Sequence, residues 1–360
     1  MFIHKPTVFV AMSGGVDSSV AAALLKKQGF TVVGVFMKNW SETIDGITYC
    51  TAEADFNDMR AVCQRLDIPY YTFNFEEEYK KRVVDYFFAE YQAGRTPNPD
   101  IMCNKEIKFG LFYERARSLG ADFIATGHYA KRMAATPKGP FQLACSTDLQ
   151  KDQTYFLYNL TQEVLSHTLF PIGEYEKSQI RELAAEFKLP TATKKDSQGI
   201  CFIGQVDVKK FLKTQIALKA GQVVNTAGHI LGTHEGAWFY TIGQRRVEGL
   251  SGTTKPMYVV GTDIEKNLVI VGEESETYGA AVVLESLHLI DPSYPIPTKL
   301  QAKSRYTPAF SSGTLTKIGE NWQFIFDEPE RALTPGQSLV IYDQGVCLGG
   351  GVIDQVAKEL

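Results

Sequence analysis

The segment Ser13-Gly14-Gly15-Val16-Asp17-Ser18-Ser19 stands between a short apolar run, Val8 to Met12, and a stretch in which Val20, Ala23 and Leu24 share one helical face before Gly29 ends it. A strand, a tight glycine turn and a helix are therefore expected in immediate succession. Two glycines let the backbone turn so that successive N–H groups point at one anion, while Ser13, Ser18 and the helix N-terminus add donors and positive dipole. The chemistry of such a loop is that of a phosphate site. No Gly-x4-Gly-Lys-Ser/Thr occurs in the chain, so the lysine that grips terminal phosphates in P-loop proteins is missing. A site of backbone and hydroxyl donors suits pyrophosphate as a leaving group, with attack at the α-phosphate.

The surrounding pattern is that of a parallel α/β domain. Apolar runs at Thr31 to Met37, Tyr70 to Phe75 and Asp122 to Thr126 alternate with helical spacing at Phe56, Met59, Val62, Cys63 and Leu66, and with a long helix from about Glu76 to Gly94. Val8 to about Ala130 reads as a doubly wound parallel sheet, whose ligands bind at the carboxyl ends of the strands. Ser13, Met37 and Gly127 fall there. Arg95 to Cys103 carries two prolines within three residues and is expected as a loop, with Asn104 capping the following helix to about Leu119. From Asp148 to Leu189 the pattern is helical, and from about Gly221 short β-rich runs take over, in two modules split near Glu273 to Gly279. The expected division is a parallel α/β domain over 1–205, with a helical part from 148, and two small β-rich domains over 206–273 and 274–360.

Composition narrows the function classes. With 360 residues, two or three domains are expected at about 150 residues each. Thirty-seven Lys+Arg against 41 Asp+Glu give a net charge of −4, so any nucleic-acid surface must be local. No apolar stretch approaches the roughly 20 residues of a membrane span, and no signal-peptide order opens the chain, so a cytoplasmic protein is expected. The six cysteines are far apart without a C-x-x-C, and the six histidines show no metal-ligand spacing, so no protein-held metal centre is expected.

Two cysteines lie in unusual settings. Cys103 closes Pro97-Asn98-Pro99-Asp100-Ile101-Met102-Cys103-Asn104, a stiff loop at an expected helix N-terminus, where thiolate is favoured over thiol; Asp100 supplies a nearby acid or base. Cys201 lies in Lys194-Lys195-Asp196-Ser197-Gln198-Gly199-Ile200-Cys201-Phe202, beside a glycine hinge and two lysines. For a lone cysteine, burial as a small apolar residue remains the competing reading. Six lysines against two aspartates between Lys194 and Lys219 form either a phosphate-binding surface or a solvated face. His128, after a strand end, is either a nucleotide contact or, more ordinarily, a satisfied structural histidine. Asp58 is either near the nucleotide or a solvated carboxylate.

The phosphate loop resembles the S-G-G-x-D-S signature of the ATP pyrophosphatase (PP-loop) superfamily, which adenylates an oxygen and then replaces it with nitrogen or sulfur. Together with P-N-P-D-x-x-C-N, Lys151-Asp152-Gln153-Thr154-Tyr155, D-S-Q-G-I-C-F, Gly243-Gln244-Arg245-Arg246 and Arg305-Tyr306, it makes nearly the whole chain similar to the bacterial tRNA-specific 2-thiouridylases of the MnmA/TrmU family. That resemblance implies conversion of the wobble uridine 34 of tRNAs for Lys, Glu and Gln to 2-thiouridine, with a central domain and a C-terminal barrel gripping the tRNA. It implies ATP contacts at Ala11, Met12, Ser13, Gly14, Gly15, Val16, Asp17, Ser18, Met37 and Gly127, with Asp17 helping to hold Mg²⁺. It also implies target-base contacts at Asn98, Pro99 and Asp100, and tRNA contacts at Lys151, Asp152, Gln153, Arg305 and Tyr306. Cys103 is then the nucleophile, Cys201 the persulfide carrier, and a sulfur-relay protein the persulfide donor, with a transient Cys103–Cys201 disulfide as one route of resolution. The rivals are a PP-loop amidating synthetase using ammonia, which would give the two cysteines no role, and a non-enzymatic tRNA-binding protein on a vestigial nucleotide fold.

Overall fold

The computed structural model describes residues 5–40, 43–44, 47–48, 52–134, 139–196, 208–250 and 255–358. Strands β1 (Thr7–Ala11), β2 (Thr31–Lys38), β3 (Tyr70–Asn74), β4 (Phe123–Thr126), β5 (Ala130–Ala134), β6 (Phe141–Cys145) and β7 (Thr168–Leu169) occupy the first half. Five of them form an all-parallel sheet in the order β3-β2-β1-β4-β7. Alternation along β1 and β2 drives both faces inward: Phe9, Ala11, Val33 and Val35 enter one core, Val8, Val10, Val32 and Phe36 the other. Each fully buried large side chain contributes roughly 1.5–3 kcal/mol. Helix α1 (Val16–Lys27) lies on the second face, and the helix Lys177–Glu186 packs beside it through Ile180 and Ala184.

A four-stranded sheet follows, ordered Ile230–His234, Gly221–Asn225, Leu268–Gly272, Tyr258–Asp263. The last part is a closed six-stranded barrel: Tyr278–Leu284, Asn321–Arg331, Ser311–Ile318, Lys299–Lys303, Ser338–Asp343 and Val346–Ala357, the last pairing back to the first. The architecture is thus the expected one, a Rossmann-like parallel domain, a small central domain and a barrel.

Three features differ from expectation. The β5–β6 hairpin leaves the first domain and adds to the barrel, Val346 pairing with Ala144 and Cys347 with Leu143. Arg95 to Cys103 is only partly a loop: helix begins at Pro99, because proline is preset for the first helical position. The cap is Asn98, whose Oδ1 accepts from the N–H groups of Asp100 and Ile101 at 3.2 Å, and not Asn104, which lies buried inside the helix. The helical path then runs through Cys103–Leu111, widened to i→i+5 bonding, into Phe112–Ser118.

Candidate active site

The phosphate loop is held from three directions. Met12 N–H donates to Val35 O at 2.8 Å, fixing the end of β1. Gly14 has φ +74°, and a Cβ there would meet the Asp55 carbonyl oxygen at 2.3 Å, so glycine is required by both conformation and space. Gly127, at the end of β4, would push a Cβ to 2.6 Å from the Ser18 nitrogen; its missing side chain lets the strand end touch the first turn of α1. Gly15 is different: its φ is −89°, and the nearest atom to an added Cβ is Ser13 Oγ at 3.4 Å. As the N-cap of α1 it brings no side-chain cap, which leaves the helix end to an anion. Ser18 Oγ accepts from Ser13 N–H at 3.3 Å, and Ser13 Oγ from Gly15 N–H at 3.4 Å, curling the loop into a concave turn. Ala11, Met12 and Val16 are buried beneath it, and half-buried Met37 lies near the end of β2.

Charged groups from distant sequence surround this turn. Asp17 accepts from Lys177 Nζ at 2.8 and 2.9 Å and from Tyr129 Oη at 2.9 Å. Burial, reinforced by the Asp17 charge and hydrogen bond, pushes the Tyr129 phenol far up, so it stays a donor. Lys177 also meets Asp196 at 2.8 Å, which in turn pairs with Arg181 at 2.5 Å and Lys151 at 3.4 Å. On the other side Lys194 Nζ donates to Gly14 O at 3.1 Å and to Asp55 and Asp58, each at 2.6 Å. Lys194 is thus a loop-rim residue, which a solvated lysine face does not describe, and Asp58 is a carboxylate of the site. Within the basic stretch, Lys209 and Lys213 also pair with carboxylates, Glu235 among them. Sequence reasoning missed Lys177, Tyr129 and Asp55 because no local pattern announces them.

His128 takes its structural role. It is buried, its Nδ1 lies 2.8 Å from Thr126 Oγ1, and its ring lies beside Phe109. Burial, with Lys108 adding to it, holds its pKa well below the usual histidine value, so the ring is neutral at pH 7.

Cys103 is 0% exposed, one turn inside the helix that starts at Pro99, rather than at its first N–H groups. A helix dipole fades within the first turn, so the terminus favours thiolate there less than the expected loop setting would. Asn98 and Asp100 are half-buried, and Pro99 is buried. The segment leading in is clamped by both other domains: Thr96 N–H donates to Pro335 O, Gln337 Nε2 to the carbonyls of Thr96 and Pro97, and Thr96 Oγ1 lies 3.2 Å from Thr241 Oγ1. Asp100 and Cys103 therefore follow a junction of all three domains. Cys201, with Ser197 to Phe202 around it, lies outside the described residues, as does Cys50. The remaining cysteines are packing thiols: burial pushes Cys63 up to about 11, burial and Asp152 push Cys145 up to about 11, and burial and Cys145 raise Cys347.

The segment expected to contact tRNA divides by residue. Lys151 is partly exposed and Tyr306 is 46% exposed, its ring 4.7 Å from Phe156. Arg305 pairs with Glu330 at 2.8 Å at the surface. Asp152 instead faces inward: it accepts from Ser146 N–H, Thr154 Oγ1 and Lys303 Nζ, and its side chain and that of Lys303 are 0% and 1% exposed. Gln153 exchanges hydrogen bonds with the Tyr129 backbone. Buried Asp152 thus shapes the segment from beneath and presents no face to a macromolecule in this conformation, whereas Gln153 remains partly exposed.

Comparison with known proteins joins these parts. A family model described as tRNA methyl transferase HUP domain matches residues 6–205. A tRNA methyl transferase PRC-barrel domain matches 209–273, and an aminomethyltransferase beta-barrel domain 281–353. The tRNA-specific 2-thiouridylase MnmA of Bacillus cytotoxicus is 48% identical over 99% of this chain and 96% of its own length. The chain belongs to the tRNA-specific 2-thiouridylase family. Proteins of the same name from Alkaliphilus oremlandii and Staphylococcus carnosus are 47% and 48% identical, each over 98% of this chain and over 98% and 96% of their own lengths. Membership extends over all three domains, so the barrel and the central sheet are as much part of the family unit as the phosphate loop.

Proposed function

We propose that this chain is the tRNA-uridine 2-sulfurtransferase that its relatives' names describe, acting on the wobble uridine 34 of tRNAs for Lys, Glu and Gln and consuming ATP. The observation that carries the reading is the near full-length identity to proteins so named, on a chain whose phosphate loop is an uncapped helix end built for an anion. ATP seats its phosphates on Ser13 to Ser18, with the remaining carried-over contacts at Ala11, Met12, Met37 and Gly127. Uridine O2 attacks the α-phosphorus, the bond to the β-phosphate oxygen breaks, and pyrophosphate leaves. The oxygen, a poor leaving group as such, then departs as AMP.

The sulfur arrives as a persulfide on Cys201 from a sulfur-relay donor. Its terminal sulfur attacks C2 and expels AMP; Cys103 thiolate then attacks Cys201 Sγ, freeing thiouridine and leaving a Cys103–Cys201 disulfide, which an external thiol must reduce by two electrons. In the alternative order, Cys103 thiolate attacks Cys201 Sγ of the persulfide first, forming the disulfide and releasing hydrosulfide, which attacks C2 and expels AMP. Either route requires the Cys103 surroundings to open, since its thiol is sealed here. Asp100, in the first turn below it, is the acid or base for the exchange. The uridine must leave its stack to reach these groups, and Asn98 and Pro99 are read as its contacts.

Lys151, Gln153, Arg305 and Tyr306 are read as tRNA contacts, with buried Asp152 holding the 151–153 segment in place. Among the described residues no three side chains group as a self-contained metal cage. Mg²⁺ is held largely by phosphates and water with one or two carboxylates, and Asp17, the carboxylate at the start of α1 that also accepts from Lys177 and Tyr129, is read as the one that would hold it. Bound there, it would neutralise charge on the departing pyrophosphate. The three matched stretches support the division at about 205 and 273. Among the described residues no helix is long and apolar enough to cross a membrane.

The relatives' names do not favour the ammonia-using reading, and the methyl-transfer wording of the domain descriptions is not shared by the full-length relatives. The test is pyrophosphate release from ATP in the presence and absence of substrate tRNA, with mass spectrometry of the wobble nucleoside. Release that depends on tRNA, with 2-thiouridine formed only when a persulfide donor is added, is the expected result. Release unaffected by tRNA would overturn the reading.

A further inference from the structure

The phosphate loop lacks a lysine in its own sequence, yet two lysines converge on it. They differ in setting. Lys177 is 16% exposed, fixed between Asp17 and Asp196 with its ammonium 5.8 Å from the centre of the Tyr129 ring. Every group around it is itself anchored. Lys194 is 28% exposed and reaches over the loop from 180 positions away, its ammonium 3.1 Å from the carbonyl of Gly14, the residue at the turn's apex. Asp55, whose backbone fills the space where a Gly14 side chain would stand, holds it from the other side with Asp58.

We infer that Lys194 is the terminal-phosphate ligand of this loop, exchanging Asp55 and Asp58 for the β- and γ-phosphate oxygens that leave as pyrophosphate. This rests on the reading that Ser13 to Ser18 hold ATP. The uncapped end of α1 supplies N–H groups to one phosphate, but nothing in the loop's own sequence supplies a full positive charge to the rest of a polyphosphate. An ammonium is a compact charge on a flexible four-carbon stem, suited to shifting between acceptors a few ångströms apart. All three of its donors are engaged, two of them by partly exposed carboxylates that water can resolvate when the lysine moves. Partial burial disfavours its charge, but hydrogen bonds to Asp55 and Asp58 outweigh that and keep its pKa above the usual lysine value, so the cation is ready before nucleotide arrives. Asp55 and Asp58 thus serve as a parking place that prevents the lysine from dispersing into solvent.

A lysine that only neutralised these two carboxylates would give a similar picture, so the test must separate the two roles. ATP and AMP affinities are measured by calorimetry on the full-length protein for the parent, Lys194→Met, Lys194→Arg, and Lys194→Met combined with Asp55→Asn and Asp58→Asn. A charge-assisted contact predicts that Lys194→Met loses about tenfold to a hundredfold in ATP affinity, with AMP binding unchanged. Lys194→Arg recovers part of the loss, and the triple variant does not. Restoration of ATP binding in the triple variant, or an unchanged ratio of ATP to AMP affinity in Lys194→Met, would overturn the assignment. If Lys194→Met does not fold, Lys194→Gln carries the same comparison. A parent that binds neither nucleotide would overturn the phosphate-loop reading itself, and this inference with it.

Discussion

Gly14 and Gly15 look alike in a motif but do different work. At Gly14 a side chain would need a left-handed backbone and would collide with the Asp55 carbonyl, whereas at Gly15 the backbone is extended and the space is open. Gly14→Ala should therefore destabilise the protein, by more than the roughly 1–2 kcal/mol of left-handed strain alone, while Gly15→Ala should unfold within about 0.5 kcal/mol of the parent. Urea titration of both variants checks this, and equal losses would contradict it. His128 allows a second residue-level prediction. Its folded pKa is depressed, so below the unfolded value of about 6.5 the unfolded chain binds the proton more readily and stability falls with pH. The urea midpoint of the parent should drop from pH 7 to pH 5, and His128→Gln should flatten part of that slope. At this scale the loop was legible because its chemistry is local to six residues. Lys177 was not, and Lys194 was read only as one of a basic stretch, because only the folded chain brings side chains 160 and 180 positions away onto Asp17 and Gly14.

Elements were readable where periodicity decides them and misread where one residue type has two uses. The parallel strands announced themselves as short apolar runs between helical stretches. Pro97 and Pro99 suggested a loop throughout, since proline breaks helix interiors, but at the first helical position it has no hydrogen bond to lose. That moved the cap from Asn104 to Asn98 and set Cys103 one turn inside. The β5–β6 hairpin escaped notice because its partner strand lies some 200 positions later. This hairpin, with the segment after it, carries the junction to the barrel through Asp152 and Lys303. Removing one partner of a buried ion pair leaves the other uncompensated, so Lys303→Ala should cost about 3–5 kcal/mol. Asp152→Asn should also destabilise, and the two losses should be strongly non-additive in a double-mutant cycle. Additive losses in urea titrations of the two single variants and the double variant would show that the pair does not couple the two parts.

Across the whole molecule, the segment before Asp100 and Cys103 is gripped by Pro335 and Gln337 of the barrel and meets Thr241 of the central domain. The phosphate loop lies at the strand ends of the first domain, and the residues proposed to meet the base follow directly on a segment held by both outer domains. In the proposed catalytic cycle ATP activates uridine and two cysteines deliver sulfur, the first step needing neither thiol. The most direct measurement follows pyrophosphate and 2-thiouridine together, with substrate tRNA, ATP and a persulfide donor, for the parent, Cys103→Ser and Cys201→Ser. The expected result is tRNA-dependent pyrophosphate release in all three proteins and sustained 2-thiouridine formation in the parent alone, with persulfide still loadable on Cys201 in Cys103→Ser. Thiolation at the parent rate by either serine variant, or a persulfide found on Cys103 alone, would contradict it.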